Sequence, residues 1–171
     1  MLDCQSKTLI PNVSRIPHPI TLNDKTAHRD LKPQNLLLVS KDDDADIKVA
    51  DFGFAKRVHV PNSLMTRCGT PTYVAPEVLK NHPHDMMVDM WSVGIIIYVL
   101  LVGYPPFMEE NQRQLFRKIR MGEYEFYRED WEDISAPAKD LISKLLVVDP
   151  NRRITANAAL QHEWICKVDE D

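Results

Sequence analysis

Cysteine is scarce in this chain of 171 residues, and the few present do not pair. Cys4, Cys68 and Cys166 are odd in number and far apart. That excludes a disulfide framework and a paired-cysteine zinc site. A reducing compartment follows, the cytoplasm with the nucleus also allowed. No charge of one sign dominates either. The net charge is -4 with 27% charged residues, so no basic arm for nucleic acid is expected. Long hydrophobic runs are absent too. The longest, Val93 to Val102, falls well short of the roughly 20 residues that span a bilayer. It reads as a helix buried on all sides, and no membrane partner is expected. The N-terminus lacks the basic start and unbroken apolar core of a signal peptide. Glycine is missing from the 27 residues before His28, so no Gly-rich loop precedes that histidine within this chain.

What is present suits one domain or a large piece of one, since 44% of the residues are hydrophobic. Residues 1–27 read as irregular, because Pro11, Pro17 and Pro19 break any period. "NLLLVS" and "DIKVADFG" predict two short strands joined by the polar "KDDDA". A loop is expected from Phe54 to about Tyr73. Helices follow. "VDMWSVGIIIYVLLVG" predicts a central helix ending near Gly103, with Pro105 and Pro106 just beyond. "ENQRQLFRKIRMG" is amphipathic, with Leu115, Phe116 and Ile119 on one face and Gly122 as its stop. In "SAPAKDLISKLLV", Ala138, Leu141, Ile142, Leu145 and Leu146 keep helical spacing behind the cap Ser135. "TANAALQHEWI" repeats the device with Thr155. The sum is a small β ribbon on a mainly helical body.

The reactive groups cluster around the first predicted strand. Asp30 and Asn35 are five apart, with Lys32 and Pro33 between, and Asp51 follows at the end of the second strand. Phosphoryl transfer needs a carboxylate that orients a hydroxyl and accepts its proton. It needs a cation for the charge on the moving group, and hard oxygen ligands for magnesium. Asp30, Lys32, and the Asn35 and Asp51 pair match those needs in that order.

"HRDLKPQN" (28–35), "DFG" (51–53) and "APE" (75–77) together resemble the protein-kinase signature set. "VDMWSVG", "GYPPF" and "DPNRRIT" extend the resemblance over residues 28–166. "LKP" and "GTPTYVAPE" are similar to serine/threonine kinases. "DFGFAK", "VGYPPF" and the last helices resemble the calcium/calmodulin-dependent protein kinase group. The implied fold class is α+β for the family and mainly α here. It is a kinase-like C-terminal lobe whose short β ribbon carries the catalytic and magnesium loops. The implied organisation is a non-family segment 1–27, a partial kinase domain 28–166 and an acidic tail 167–171.

The resemblance implies ATP and Mg2+ as cofactors, a protein as substrate and an upstream activating kinase as a partner. It implies Asp30 as the catalytic base, Lys32 as the contact to phosphoryl group and substrate, and Asn35 and Asp51 as magnesium ligands. Thr70 would help recognise the hydroxyl-bearing residue. Glu77 would pair with Arg153, and Asp89 would hold the catalytic loop through its backbone. His28 and Arg29 would support that loop, with Arg29 able to pair with an activation-loop phosphate. Thr66 is the first-ranked acceptor of that phosphate and Ser63 the second.

Plainer readings compete at several positions. An aspartate in a loop is often a solvated turn residue, the alternative for Asp30 and Asp51. Glu77 and Arg153 have independent surface charges as theirs. Asp42, Asp44 and Asp46 alternate like a calcium loop, but Ile47 and Gly53 stand where that loop needs Gly and Glu. A solvated hairpin tip is expected instead. His82 and His84 have no further ligands nearby in sequence and read as a polar loop. Cys68, beside Arg67, reads as a packing residue rather than a reactive thiol. Leu115, Phe116 and Ile119 read as core rather than as a docking stripe.

Three departures from the family pattern stand out. No Gly-rich loop, no "VAIK"-like lysine and no adenine hinge precede His28 within these residues. "PNVSRIPHPITLNDK" cannot form the apolar helix that packs beside the catalytic loop, so exposed apolar surface is expected. Gln34 replaces the glutamate of basophilic relatives, which questions a preference for basic substrates. No calmodulin-binding helix follows Trp164. Two functional expectations result. One is a serine/threonine kinase lobe with little or no activity alone. The alternative is a non-catalytic binding or scaffold module.

Overall fold

Short strands come first in the chain. The computed structural model describes residues 26–41, 46–66 and 68–166. Strands β1 (Thr26–Ala27), β2 (Leu36–Leu38), β3 (Ile47–Val49) and β4 (Lys56–Arg57) form two antiparallel pairs, β1 with β4 and β2 with β3. The second pair is the expected ribbon, in the register Leu36 to Val49 and Leu38 to Ile47. Residues 42–45 of its tip lie outside the described residues, as do Cys4, Arg67 and residues 167–171.

The helices are α1 (Pro76–Leu79), α2 (Met87–Val102), α3 (Gln112–Met121), α4 (Arg128–Trp131), α5 (Ala136–Leu145), α6 (Ala156–Leu160) and α7 (Glu163–Cys166). Helix α2 is the hub. Trp91, Ile95 and Tyr98 on it are fully buried, but Leu100 is 64% exposed, so the run is not buried on all sides as expected. The helix stops at Gly103, whose φ of 86° is left-handed backbone that glycine adopts without Cβ strain and whose N–H bonds the Val99 carbonyl at 2.7 Å. Helix α5 packs directly on it. A Cβ on Gly94 would come within 2.8 Å of Leu145 Cβ, so only glycine lets the two helices approach this closely. The caps fall where the sequence placed them. Ser135 accepts the Ala138 N–H at 3.4 Å and Thr155 accepts the Ala158 N–H at 3.3 Å.

Four local expectations need correction. The irregular segment is expected to run to residue 27, but Thr26 and Ala27 pair with Arg57 and Lys56; residues 1–25 lie outside the described residues. Ala27 packs with Val58 and Leu64, a contact no local period signals. The loop from Phe54 to Tyr73 is interrupted by β4, by a bridge between Leu64 and His84, and by a 3-10 turn at Pro71–Tyr73. The last helix is two, α6 and α7, with His162 between them donating Nε2–H to Asp140 at 2.8 Å. Helix α4 was not anticipated. Its Trp131 joins Tyr98 (4.7 Å) and Phe126 (4.5 Å) in an aromatic cluster that closes the lobe. Ile119 is fully buried, with Leu115 and Phe116 packed beside it. Leu37, Leu38, Val39 and Phe52 are about half exposed; the segment 11–25, whose inability to form a helix underlies the expectation of exposed apolar surface, lies outside the described residues.

One buried ion pair ties the helical base together. Arg153 Nη1 and Nη2 donate to the Glu77 carboxylate at 2.8 and 3.0 Å. Arg153 also donates to the Met87 and Val147 carbonyls and stacks over Trp91 at 5.2 Å. Thus α1, α2 and the turn after α5 meet on one guanidinium, which the alternative of independent surface charges does not describe. Removing one partner leaves the other charge buried. Glu77→Ala or Arg153→Met is predicted to cost about 3–5 kcal/mol in urea unfolding. The double change Glu77→Leu with Arg153→Met is predicted to recover much of that loss.

Candidate active site

The loop from His28 to Asn35 is short and polar, so its shape must come from partners outside it. Asp89, in the first turn of α2, supplies them. Its carboxylate accepts the backbone N–H of His28 at 2.7 Å and of Arg29 at 2.8 Å. Arg29 sits at φ 69°, a conformation that costs a bulky residue about 1–3 kcal/mol and persists only when its surroundings impose it. Burial pushes the Asp89 carboxyl above its ordinary range, and the two amide bonds only partly offset this. Charging Asp89 therefore opposes folding. That contribution to stability is fully present below the ordinary carboxylate pKa and is lost as pH rises through the raised value.

Further contacts lock the loop from both sides. His28 Nε2–H donates to the Ala50 carbonyl at 3.1 Å, and its ring meets Phe52 edge-on at 4.9 Å. Arg29 Nε donates to the Phe54 carbonyl at 2.7 Å. A Cβ at Gly69, whose φ is 103°, would lie 2.7 Å from the Arg29 carbonyl. Glycine there lets the following residue reach the loop. Ala50, Phe52 and Gly69 are functional supports the sequence reading missed. Gly69, directly before Thr70, was the one with a readable signal.

Three donors converge on Asp30, which is buried. Lys32 Nζ donates to its Oδ2 at 2.7 Å. The Thr70 N–H and Oγ1–H donate to its Oδ1 at 2.8 and 2.9 Å. Lys32 also donates to Thr70 Oγ1 at 3.0 Å, closing the triangle. Burial pushes the Asp30 pKa up, but the bonds from Lys32 and Thr70 together outweigh it and hold the carboxyl below its ordinary value. Asp30 is thus ionised throughout the neutral range. The stability it contributes is present above the ordinary carboxylate pKa and is lost as pH falls through the lowered one. A solvated turn does not describe this carboxylate.

Asn35 bonds to the same loop, and Asp51 follows the residue bonded to Asn35. The Asn35 Nδ2 donates to the Asp30 carbonyl at 2.8 Å, which leaves its Oδ1 as an acceptor. The Ala50 N–H donates to the Asn35 carbonyl at 2.8 Å, so the ribbon places Asn35 against the residue before Asp51. Asp51 is exposed, sits at φ 61° and accepts the Gly53 N–H at 3.2 Å. Two hard oxygen donors fit magnesium, which keeps waters and takes its remaining ligands from phosphates. Ser63 and Thr66 are exposed. Cys68 is half-buried, and burial pushes its thiol up, consistent with an inert packing residue. His84 departs from the polar-loop expectation: it is buried and bonded through its backbone to Leu64.

Thr70→Val removes one donor to Asp30 and one acceptor from Lys32. The Asp30 carboxyl is predicted to titrate at higher pH than in the unaltered chain, read by carbon-13 NMR of its carboxyl. An unchanged titration would contradict the assigned bonds.

A family model for the protein kinase domain matches residues 21–165. Human serine/threonine-protein kinase DCLK3 is 51% identical over 150 residues, a match that covers 85% of this chain and 23% of that protein. The chain therefore spans about a quarter of the length of this curated relative. The match over residues 21–165 shows that the chain belongs to the protein kinase domain family.

Proposed function

We propose that this chain is the catalytic lobe of a serine/threonine protein kinase of the calcium/calmodulin-dependent type. Its reaction would be the transfer of the γ-phosphoryl group of ATP to a protein Ser or Thr hydroxyl. The observation that carries the reading is the Asp30, Lys32 and Thr70 triangle at the mouth of a loop clamped from behind. Kinase-family members generally use ATP and Mg2+.

Each residue has a definable task. Asp30, ionised, accepts a hydrogen bond from the incoming hydroxyl and then its proton as the new oxygen–phosphorus bond forms. The bond to the bridging oxygen breaks and ADP leaves. A carboxylate with a lowered pKa is a weak base. That suits a loose transition state in which orientation matters more than early proton removal. Lys32 supplies positive charge at 2.7 Å from Asp30, where the phosphoryl group must pass. Thr70, 3.0 Å from Lys32, lines the place of the acceptor residue. Asn35 Oδ1 and Asp51 would hold magnesium, which when bound neutralises charge on the phosphates. Phosphate on Thr66, with Ser63 second, would pair with Arg29. An upstream kinase is then a partner, and a reducing compartment such as the cytoplasm suits the free Cys68 and Cys166.

The 171 residues hold no Gly-rich loop and no lysine strand ahead of His28. Alone, they are predicted to transfer little or no phosphate to a serine peptide. Joined to the Gly-rich-loop half of a serine/threonine kinase domain, they are predicted to transfer it from ATP. In that fusion Asp30→Asn is predicted to lower kcat by about 10²–10⁴-fold. A fusion as active with Asn at position 30 would refute the reading and favour a scaffold role.

A further inference from the structure

A small cavity of about 10 Å³ lies behind the catalytic loop, walled by Arg29, Cys68, Thr70, Tyr73, His84 and Ser92 among others. That is about the space of one water. Two buried polar atoms on its lining residues have no hydrogen-bond partner among the described residues, Arg29 Nη1 and His84 Nε2. His84 is almost wholly buried, so its idle nitrogen has no access to solvent. Such an atom costs about 1–3 kcal/mol if left unmade.

The two atoms are chemically complementary. His84 Nδ1 faces the His82 carbonyl at 3.2 Å. A carbonyl only accepts, so Nδ1 carries the proton and Nε2 presents a lone pair. Arg29 Nη1 only donates. A water can accept from the arginine and donate to the histidine, satisfying both. The backbone of the same His84 exchanges two hydrogen bonds with Leu64, at 3.0 and 2.9 Å. Leu64 lies between Ser63 and Thr66 in the segment that carries the phosphate candidates.

We infer that one buried water bridges Arg29 Nη1 to His84 Nε2, making His84 a positioning residue that couples the catalytic loop to the segment holding Ser63 and Thr66. The bridge as described has a neutral imidazole accepting from the water. Protonation turns Nε2 into a donor, reverses that bond and sets an imidazolium beside the Arg29 guanidinium in a buried cavity, where the like charges repel. The ionisable groups around the ring are Arg29 and Asp30 on the catalytic loop, Cys68 and Tyr73 on the cavity wall, and Glu77 and Asp85 on either side. Burial, aided by Arg29, holds the His84 pKa below its ordinary 6.5, against the His82 carbonyl, Glu77 and Asp85, which raise it. A depressed folded pKa means that the stabilising contribution is whole above 6.5 and is lost as pH falls through the folded value. The inference rests on the kinase reading only for its catalytic consequence, and its test does not use activity.

Hydrogen exchange of the Leu64 amide in the 171-residue chain reports the coupling. Its protection, corrected for intrinsic exchange, is expected to fall by about tenfold or more from about pH 7 to about pH 5. His84→Gln places a neutral oxygen where Nε2 stood, so its protection is expected to stay flat with pH. His84→Phe removes the acceptor and is expected to show low protection at both pH values. A high-resolution crystal structure of the unaltered chain at neutral pH is expected to show the water. A dry cavity would overturn the inference. So would an unaltered chain without the pH response, or a Gln variant with the same response. If His84→Phe does not fold, the Gln comparison decides alone.

Discussion

The Asp89 carboxylate accepts the backbone N–H groups of His28 and Arg29, and the reactive loop takes its shape from those two bonds. Bonds from amides to an ionised group are worth about 1.5–3 kcal/mol each. That is enough to hold Arg29 at a positive φ that its side chain disfavours. The strained turn aims Asp30 toward Thr70 and leaves Asn35 against the ribbon. Because Asp89 stands in the first turn of α2, whose Trp91, Ile95 and Tyr98 are fully buried, the loop is anchored to the core. Burial raises the pKa of Asp89, so stability is given up for geometry, a common trade at functional sites.

A second constraint keeps the acceptor side in place. The Glu77 and Arg153 pair fixes α1 to the base of the lobe, and α1 begins one residue after Ala75. The 3-10 turn at Pro71–Tyr73 bridges from there back to Thr70. Gly69 then brings the Thr70 N–H and hydroxyl within bonding distance of Asp30. Two charges buried near the base thus position a hydroxyl at the reactive rim. Ser92 adds a cross-link, donating from α2 to the Tyr73 carbonyl at 3.0 Å.

Long, periodic elements were legible in the sequence. The apolar run of α2, the caps Ser135 and Thr155 and the stop at Gly103 are local signals, and the structure keeps each of them. The β ribbon was legible because its two strands are neighbours in the chain. The pairing of Thr26–Ala27 with Lys56–Arg57, and of Leu64 with His84, was not. Such contacts depend on tertiary proximity and leave no period. The reactive residues were readable from their motif spacing. What the spacing did not reveal was the support: the Gly69 approach, the Ala50 carbonyl under His28, and the burial of His84. These depend on where loops touch, which a one-dimensional pattern does not encode.

The account makes the Asp89 clamp a property of the lobe itself, independent of nucleotide. Hydrogen exchange of the His28 and Arg29 amides in the 171-residue chain, without ATP or Mg2+, measures this directly. Both amides are predicted to exchange as slowly as those in the interior of α2, and to exchange far faster in Asp89→Asn while α2 itself stays protected. Fast exchange of both amides in the unaltered chain would contradict the account, because the loop would then need a ligand to take its shape.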